Sequence, residues 1–274
     1  MCRRASGEHE LMIDLHTHIL PDWDDGARSW EEAKAMARVA AADGIRKIGL
    51  TPHIFRLTKH NDEWSVLEER KAEFKKLSET WPTEFSFGAE VFVHHDMVEN
   101  ILNHHLTING SDYFFIEFPA ETVLPGVKDL IFNIMLRGCI PIISHPERNS
   151  VFSYRPGLLY ELVKMGCLAQ VTAKSLIGEM GQEAKRAADI FLKHNLVHVI
   201  ASDAHDPENR PPRLSHGVRE AAKIVGKEKA EAMVTSIPEA ILRNAEIGDW
   251  GEPLDPVREK KWTIKLPSFI KKPR

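Results

Sequence analysis

The sequence lacks several features that would assign it to a common class of protein. No apolar run approaches the roughly 18–20 residues that a membrane-spanning helix needs, and no apolar core follows the charged N-terminal residues as a secretory signal requires. The three cysteines, Cys2, Cys139 and Cys167, are too few and too scattered for a disulfide framework. With 43% hydrophobic and 28% charged residues, these absences predict a reduced, cytoplasmic globular protein.

An excess of positive charge and phosphate-cradling loops are also missing. The formal net charge of -4 and the pI near 6.4 give no footprint for nucleic-acid binding. There is no G-x-G-x-x-G after the first predicted strand and no G-x-x-x-x-G-K-[ST] loop. The residues six positions after the cysteines are Glu8, His145 and Ala173, so the Cys-x₅-Arg loop of a cysteine-dependent phosphatase is absent too. Cysteine-nucleophile chemistry is therefore disfavoured.

Short apolar runs alternate along the chain with segments of helical periodicity. Ser29 and Glu32 form a capping box that opens a helix, and Gly44 can close it. Strand–helix alternation predicts a parallel sheet with right-handed crossovers. Further helices are expected near Glu63–Thr80, Leu124–Arg137, Pro156–Met165 and Gln182–Asn195. The predicted strands are Leu11–His18, Lys47–His53, Phe85–Val93, Tyr113–Pro119, Ile140–Glu147, Cys167–Ala173 and His198–His205. Seven such units favour a closed or nearly closed β/α barrel, with an open doubly wound sheet as the alternative.

We predict one barrel domain over residues 12–247, flanked by two extensions. Residues 1–11 form an N-terminal extension, and Met12 is a candidate for the true start. Residues 248–274 form a basic C-terminal extension with four prolines, which we expect to lie on the barrel or to be partly disordered. From Arg258 onward, lysines and arginines alternate with Trp262, Phe269 and Ile270. Such a tail could make weak contact with an anionic surface, or Trp262 could simply pack on the barrel.

Residues that bind metals follow six of the seven predicted strands. The active site of a β/α barrel is built at the C-terminal ends of its strands. Period-two alternation places the side chains of Asp14, His16 and His18 on one face of the first strand. Glu117 lies in an apolar strand, where a buried carboxylate needs a partner or a metal. The candidate ligands are His16, His18, Asp25, His53, Glu90, Glu117, His145, Asp203 and His205.

The combination of these residues is more informative than any one of them. A single histidine at a strand end is usually structural, but these groups cannot share one barrel mouth unpaired without desolvation and repulsion. Four carboxylates among five imidazoles suit two or three divalent ions, with Zn²⁺, Mn²⁺ or Fe preferred over Ca²⁺. Paired ions lower the pKa of bound water and stabilise both oxygens of an in-line displacement.

Two arginines point to the group that is attacked. Arg148 and Arg210 follow ligand-bearing strands, and guanidinium groups match phosphate oxygens in pairs. They favour a phosphate ester over an amide or lactone as the substrate. The alternative is that both arginines form surface salt bridges. Arg213 is a second candidate for the phosphate-binding role given to Arg210. Of the remaining histidines, His94 and His95 are expected near the same mouth.

The order of the motifs resembles a known family. The run from Asp14 to Pro21, followed by Asp24-Asp25-Gly26-Ala27, resembles the opening motif of the PHP (polymerase and histidinol phosphatase) superfamily. More closely, it is similar to the bacterial capsule-type protein-tyrosine phosphatases, the CpsB/CapC-like family. Further motifs in the family's order are Thr51-Pro52-His53, Gly88-Ala89-Glu90, Ile116-Glu117-Phe118, Ser144 to Arg148, and Ser202-Asp203-Ala204-His205.

The resemblance, over residues 12–247, implies a distorted (β/α)₇ TIM-like barrel of PHP type with three metals, often manganese. It implies that Arg148 and Arg210 bind phosphate and that Glu90 bridges two metals. The implied ligand sets are His16, His18, Glu90 and Asp203 for one metal, Glu90, Glu117 and His145 for a second, and Asp25, His53 and His205 for a third.

The implied activity is hydrolysis of phosphotyrosine by a metal-bound hydroxide, on a protein such as a membrane tyrosine autokinase that controls exopolysaccharide synthesis. The alternatives are a phosphatase of small metabolites such as histidinol phosphate, a non-catalytic metal-binding module, and a hydrolase of C–N bonds. Two segments depart from the family pattern and leave substrate preference open. They are Pro21 to Gly26, where many members have Pro-Gly-Ile-Asp-Asp-Gly, and Ile54 to Leu57, which replaces a more polar loop.

Overall fold

Short parallel strands alternate with helices in the computed structural model, which describes residues 11–56, 64–94 and 97–257. The strands are β1 (Met12–Thr17), β2 (Ile45–Leu50), β3 (His53–Ile54), β4 (Glu84–Phe87), β5 (Glu90–Phe92), β6 (Tyr113–Glu117), β7 (Ile140–Ile143), β8 (Leu168–Thr172) and β9 (Val199–Ala201). The longer helices are α1 (Trp30–Ala42), α2 (Trp64–Ser78), α4 (Val127–Leu136), α6 (Pro156–Lys164), α8 (Gln182–Lys193) and α9 (Ser215–Val225). Shorter ones are α3 (Met97–Asn103), α5 (Ser150–Tyr154), α7 (Ala173–Leu176), α10 (Lys227–Ala232) and α11 (Ser236–Leu242).

The strands form one curled parallel arrangement. The strand order is β1-β2-β4 in one sheet and β3-β5-β6-β7-β8-β9 in the other. The segment that follows the last strand, β9, pairs with the first strand. The Asp203 amide donates to the His16 carbonyl at 3.0 Å, and the His18 amide donates to the Ala204 carbonyl at 2.8 Å. An open doubly wound sheet would leave these two strands apart. The arrangement is consistent with a distorted TIM-like barrel.

Two of the predicted strands are interrupted. The predicted strand Lys47–His53 is divided into β2 and β3 at Thr51 and Pro52, because a proline has no amide hydrogen for the ladder. The predicted strand Phe85–Val93 is divided into β4 and β5 at Gly88 and Ala89. A Cβ on Gly88 would lie 3.1 Å from Cγ1 of Ile108, so a side chain here would require Ile108 to move by a few tenths of an ångström. Each interruption directly precedes a candidate ligand.

The predicted start of α1 is present with one change. The Ser29 hydroxyl accepts a hydrogen bond from the Glu32 amide at 3.2 Å, as a capping box requires. The Glu32 carboxylate accepts instead from the Arg28 amide, at 2.7 Å, and also binds the Arg28 guanidinium. Helix α1 buries one face against the barrel, formed by Ala33, Met36, Ala37 and Ala40.

The N-terminal ends of the strands are covered by the segment 246–253. The Trp250 indole donates to the Val197 carbonyl at 3.0 Å, and the Lys229 ammonium lies 4.4 Å from the Trp250 ring centroid. The Asn195 amide donates to the carbonyls of Trp250, Gly251 and Glu252 at 2.7–3.2 Å. A cavity of about 500 Å³ remains between this segment and the strand ends. The start of the predicted C-terminal extension therefore lies on the barrel.

The tail from Arg258 to Arg274, with its basic and aromatic residues, lies outside the described residues. Across the described residues, none of the helices is both long and apolar enough to span a membrane.

Candidate metal centre

The carboxyl ends of the strands bring the nine candidate ligands to one place. Strand β1 carries His16 and leads into His18, and β3, β5 and β6 carry His53, Glu90 and Glu117. The remaining ligands lie in the turns that follow β1, β7 and β9: Asp25, His145, Asp203 and His205. All nine side chains are buried except that of Asp25, which is 42% exposed. Concentrating so many ionisable groups in the interior is costly unless a cation compensates them.

Glu90 lies at the middle of the cluster and is fully buried. Its Oε2 atom lies 3.4 Å from Nε2 of His16, 3.5 Å from Nε2 of His18 and 3.0 Å from Nδ1 of His53. Its Oε1 atom lies 3.1 Å from Nε2 of His145. One carboxylate thus faces four imidazoles, which is the position that a bridging ligand needs.

Three groups of ligand atoms are compact enough to hold an ion, with all atoms in a group within 4.8 Å of one another. They differ from the sets implied by the resemblance in that His18 and His53 each belong to two groups, whereas Glu90 belongs to one. His145 belongs to none of them, although its contact with Glu90 keeps it at the centre. The three groups are His18, Asp25, His53 and His205; His16, His18 and Asp203; and His53, Glu90 and Glu117.

The polar atoms at the centre fit a bound cation. Among the described residues, both carboxylate oxygens of Glu90, Oε2 of Glu117 and Nδ1 of His53 are buried without a hydrogen-bond partner. Leaving one buried polar group unsatisfied costs about 1–3 kcal/mol, and more for a charged group. The donors are imidazole nitrogens and carboxylate oxygens, which suit first-row divalent ions. The residues present therefore fit a metal centre.

The carboxylates differ in their surroundings. Burial and the nearby Glu90 charge raise the pKa of Glu117 to about 7. Burial acts in the same direction on Asp203, but a hydrogen bond with His18 and the charges of Arg210 and Arg148 outweigh it and hold the pKa of Asp203 well below its usual range. Asp203 is therefore a carboxylate at neutral pH, whereas Glu117 needs a further positive charge to stay ionised.

Two further residues, Asp24 and Gln170, orient the histidines and are not among the candidate ligands predicted from the sequence. The Asp24 carboxylate accepts from Nδ1 of His18 at 2.8 Å and from the His53 amide at 2.9 Å. Nδ1 of His16 lies 3.1 Å from Oε1 of Gln170. Such contacts fix the ring orientation, so that Nε2 of each ring faces the centre. The sequence signals for them are that Asp24 is adjacent to Asp25, and that Gln170 is the one amide side chain in the predicted strand Cys167–Ala173.

The two predicted arginines meet at one carboxylate. The guanidinium of Arg210 lies 2.6 Å from Oδ2 of Asp203, and that of Arg148 contacts the same oxygen. Both side chains are 29% exposed, so each joins the buried centre to solvent. Arg213 is exposed and lines a separate pocket with Arg38, which removes it as the competitor of Arg210.

A third arginine, Arg56, reaches the centre and was not predicted. Its Nη1 atom lies 2.8 Å from Oε1 of Glu117, and its guanidinium lies 5.1 Å from the centroid of the Phe92 ring. His94 stacks on Phe55 beside this contact, as its predicted position near the mouth requires, whereas His95 lies outside the described residues.

Comparison with known proteins relates this geometry to a family. The family described as "Capsular polysaccharide synthesis, CpsB/CapC" matches residues 12–243. The tyrosine-protein phosphatase YwqE of Bacillus subtilis is 35% identical over 252 residues, covering 91% of this chain and 98% of that protein. The tyrosine-protein phosphatase CpsB of Streptococcus pneumoniae is 31% identical and covers 84% of this chain and 98% of that protein. The chain belongs to the CpsB/CapC family.

Solved structures agree with the family assignment. A crystal structure from work on YwqE and CpsB, described there as "unique metal-dependent tyrosine phosphatases", matches with a TM-score of 0.82 at 34% identity. The match covers 89% of this chain and 99% of that one. A lactonase from Listeria monocytogenes matches with a TM-score of 0.57 at 12% identity, which is a likeness of fold alone. The predicted CpsB/CapC resemblance is confirmed.

Proposed function

We propose that this CpsB/CapC member is a metal-dependent phosphatase that hydrolyses phosphotyrosine in a protein. The observation that carries the proposal is the meeting of Arg148 and Arg210 on Asp203, within a buried cluster of metal-binding side chains. The broader prediction of a metal-dependent phosphoric monoester hydrolase is confirmed by relatives named tyrosine-protein phosphatases over most of the chain.

The nine clustered side chains would hold two to three divalent ions, which we propose are Mn²⁺. When bound, such ions lower the pKa of water and neutralise charge on a phosphate. Glu90 would bridge, because its two oxygens face different histidines. The proposed ligands are His16, His18, Glu90 and Asp203 for the first ion, Glu90, Glu117 and His145 for the second, and Asp25, His53 and His205 for the third.

The two arginines would bind the phosphate oxygens of the substrate. Each guanidinium presents several N–H donors in one plane, so it can hold Asp203 and a phosphate oxygen at the same time. Asp203 keeps its negative charge at neutral pH, and it therefore holds both guanidiniums at the rim before the substrate arrives. Positioning of this kind reduces the reorganisation that phosphate binding requires.

The architecture and setting of the protein complete the proposal. We infer a distorted (β/α)₇ barrel of PHP type over residues 12–247, with its second and third strands each interrupted once. The protein substrate would be a membrane tyrosine autokinase that regulates capsule or exopolysaccharide synthesis, and the enzyme would act in the cytoplasm. The family's description supports the link to capsule synthesis, and the names of its members support a phosphotyrosine protein as the substrate.

The proposal is tested by comparing kcat/KM for phosphotyrosine peptides with kcat/KM for histidinol phosphate, in the presence of Mn²⁺. We expect a clear preference for the peptides. A preference for histidinol phosphate would reassign the enzyme to small metabolites. Absence of turnover of both, in a metal-loaded preparation, would leave a metal-binding module instead.

A further inference from the structure

An aromatic surface adjoins the metal centre at the ends of β3 and β5. Phe55 follows β3 and stacks on His94, which follows β5, with ring centroids 4.9 Å apart and planes 25° apart. Phe55 also meets Trp64 edge-on at 6.2 Å, and Trp64 stacks on His104 at 3.9 Å. All four side chains are partly exposed. We call this surface, formed by Phe55, Trp64, His94 and His104, the aromatic rim.

The strand register fixes the aromatic rim directly outside the ligands. Strands β3 and β5 pair with His53 opposite Glu90 and Ile54 opposite Val91. Phe55 is therefore one residue beyond this paired region, and the two ligands behind it lie 3.0 Å apart. A group bound at the centre and extending past the end of β3 would therefore pass the position that Phe55 occupies.

The backbone at Phe55 is strained, which separates this ring from an ordinary packing residue. Its φ is 68°, in the left-handed region that side chains other than glycine rarely adopt. Strain of this kind persists where the surrounding structure enforces it, often at binding sites. Here it turns Phe55 toward His94 and Trp64 and allows the next residue, Arg56, to reach Glu117 at 2.8 Å.

Charge favours this side of the mouth for an anionic substrate. Beside His205, a pocket of about 290 Å³ is lined by the carboxylates Asp25, Glu32, Asp206 and Glu208 and by Arg28. Glu32 is paired with Arg28, and Asp25 is a candidate metal ligand. Asp206 and Glu208 are therefore the carboxylates that would repel a phosphorylated peptide on this side. On the side of β3, the Arg56 side chain is 36% exposed, and its guanidinium pairs with Glu117 and lies over the Phe92 ring.

We propose that Phe55, supported by His94, binds the phenyl ring of the substrate and makes the enzyme selective for aryl over alkyl phosphate esters. In phosphotyrosine the ester oxygen is attached to the ring itself, so the ring lies directly outside the bound phosphate. Phosphoserine has no group to occupy that place. Offset stacking on Phe55 therefore stabilises only the aromatic ester. The inference rests on the proposed phosphatase function and identifies Phe55 as the residue that determines its substrate selectivity.

The test measures the ratio of kcat/KM for two peptides of one sequence that carry phosphotyrosine or phosphoserine. One aromatic contact of this kind corresponds to roughly a two- to tenfold effect. Phe55→Leu should lower the ratio by that factor, and Phe55→Tyr should retain it. Phe85→Leu is the matched control. Phe85 is also partly buried, but its ring contacts those of Phe74 and Trp81 in the layer formed by α2 and β4. A ratio unchanged in Phe55→Leu overturns the inference.

A binding measurement separates failure of this inference from failure of the proposed function. The metal-loaded enzyme is titrated calorimetrically with phenylphosphonate and with methylphosphonate, neither of which is turned over. We expect tighter binding of phenylphosphonate in the wild type and loss of that difference in Phe55→Leu, with metal content unchanged. An equal affinity for the two in the wild type overturns the inference even if phosphotyrosine is hydrolysed. A Phe55-dependent difference supports it even if the physiological substrate is another aryl phosphate.

Discussion

Histidines are buried at both ends of the parallel strands, in opposite electrostatic surroundings. At the N-terminal end, His198 is 6% exposed, and burial, with the nearby Lys229 charge, lowers its pKa to about 3. At the C-terminal end, burial lowers the pKa of His18 too, but the charge of Asp24 and contacts with Asp203 and Glu90 outweigh it and raise that pKa well above 6.5.

The difference lies in how the neighbouring polar groups are satisfied. Nδ1 of His198 accepts from the Ala169 amide at 3.2 Å, and its neighbour Trp250 donates to a backbone carbonyl. At the other end, the two Glu90 oxygens are buried without a hydrogen-bond partner among the described residues. A buried histidine with satisfied neighbours is structural, whereas histidines beside unsatisfied carboxylates indicate a site for a cation.

Removal of divalent ions should have the largest effect, because only the C-terminal ends of the strands carry a predicted metal centre. We expect a strong chelator to abolish hydrolysis, because the clustered carboxylates and imidazoles would activate water through the ions that they hold. Added Mn²⁺ should restore activity, measured as turnover of an aryl phosphate alongside metal content. Full activity in a demonstrably metal-free preparation would contradict the metal centre.

Glu90→Gln should have the largest effect of any single substitution. Its carboxylate faces four imidazoles, so its loss should release more than one ion per chain and lower kcat/KM by about 100-fold or more, since even outer contacts cost 10–100-fold. Glu147→Gln is the matched control, because Glu147 is equally buried but binds the Thr172 amide and the Ser175 hydroxyl. Loss of one ion only, with activity kept, would exclude bridging by Glu90.

Arg148→Ala and Arg210→Ala should have smaller effects and leave metal content unchanged. A charge-assisted hydrogen bond contributes about 1.5–3 kcal/mol, which corresponds to a loss of roughly tenfold to 150-fold in kcat/KM. Arg213→Ala should behave as wild type, because its side chain is exposed at a separate pocket. Wild-type kinetics in either of the first two variants would show that the arginine concerned does not bind phosphate.

His198→Asn should change stability without changing turnover. Below about pH 6.5 His198 is protonated in the unfolded chain, whereas in the folded chain it stays neutral until about pH 3. The free energy of unfolding should therefore fall as the pH is lowered through this window, by at most about 1.4 kcal/mol per pH unit. Asn keeps an acceptor for the Ala169 amide and does not titrate, so the variant should lose less stability in acid.

Urea unfolding at pH 7 and pH 5 would measure the difference, and His216→Asn is the control because His216 is exposed. If wild type and His198→Asn lose the same stability between these pH values, His198 is not the group responsible.

The clustering of the candidate ligands could be predicted from sequence because each lies at a point that local patterns define. His16 and Glu90 end apolar runs whose alternation fixes the inward face, and barrel topology gathers such ends. Gln170 could not be predicted as a partner of His16, because 154 residues separate them and only the closed fold brings them together. Arg56 was missed for a different reason, since its contact depends on the left-handed turn at Phe55.

The interruptions of the second and third predicted strands show a similar limit. Pro52 stands inside the predicted strand Lys47–His53, and a proline in a strand is a visible warning. Gly88 gives a weaker signal, because its significance depends on the approach of Ile108 from a distant part of the chain. Local sequence thus predicts where the hydrogen bonding of a strand is weak, whereas tertiary packing determines whether the strand is interrupted there.

The contact between the first and last strands has a consequence for the newly made protein. The backbone bonds that join Asp203 to His16 and Ala204 to His18 also bring Asp203 into the ligand cluster. A nascent chain that has emerged only as far as β8 therefore exposes carboxylates and imidazoles without the strand that completes them. Because domains fold as units during synthesis, the full set of candidate ligands is assembled only after the last strand has left the ribosome and joined the first.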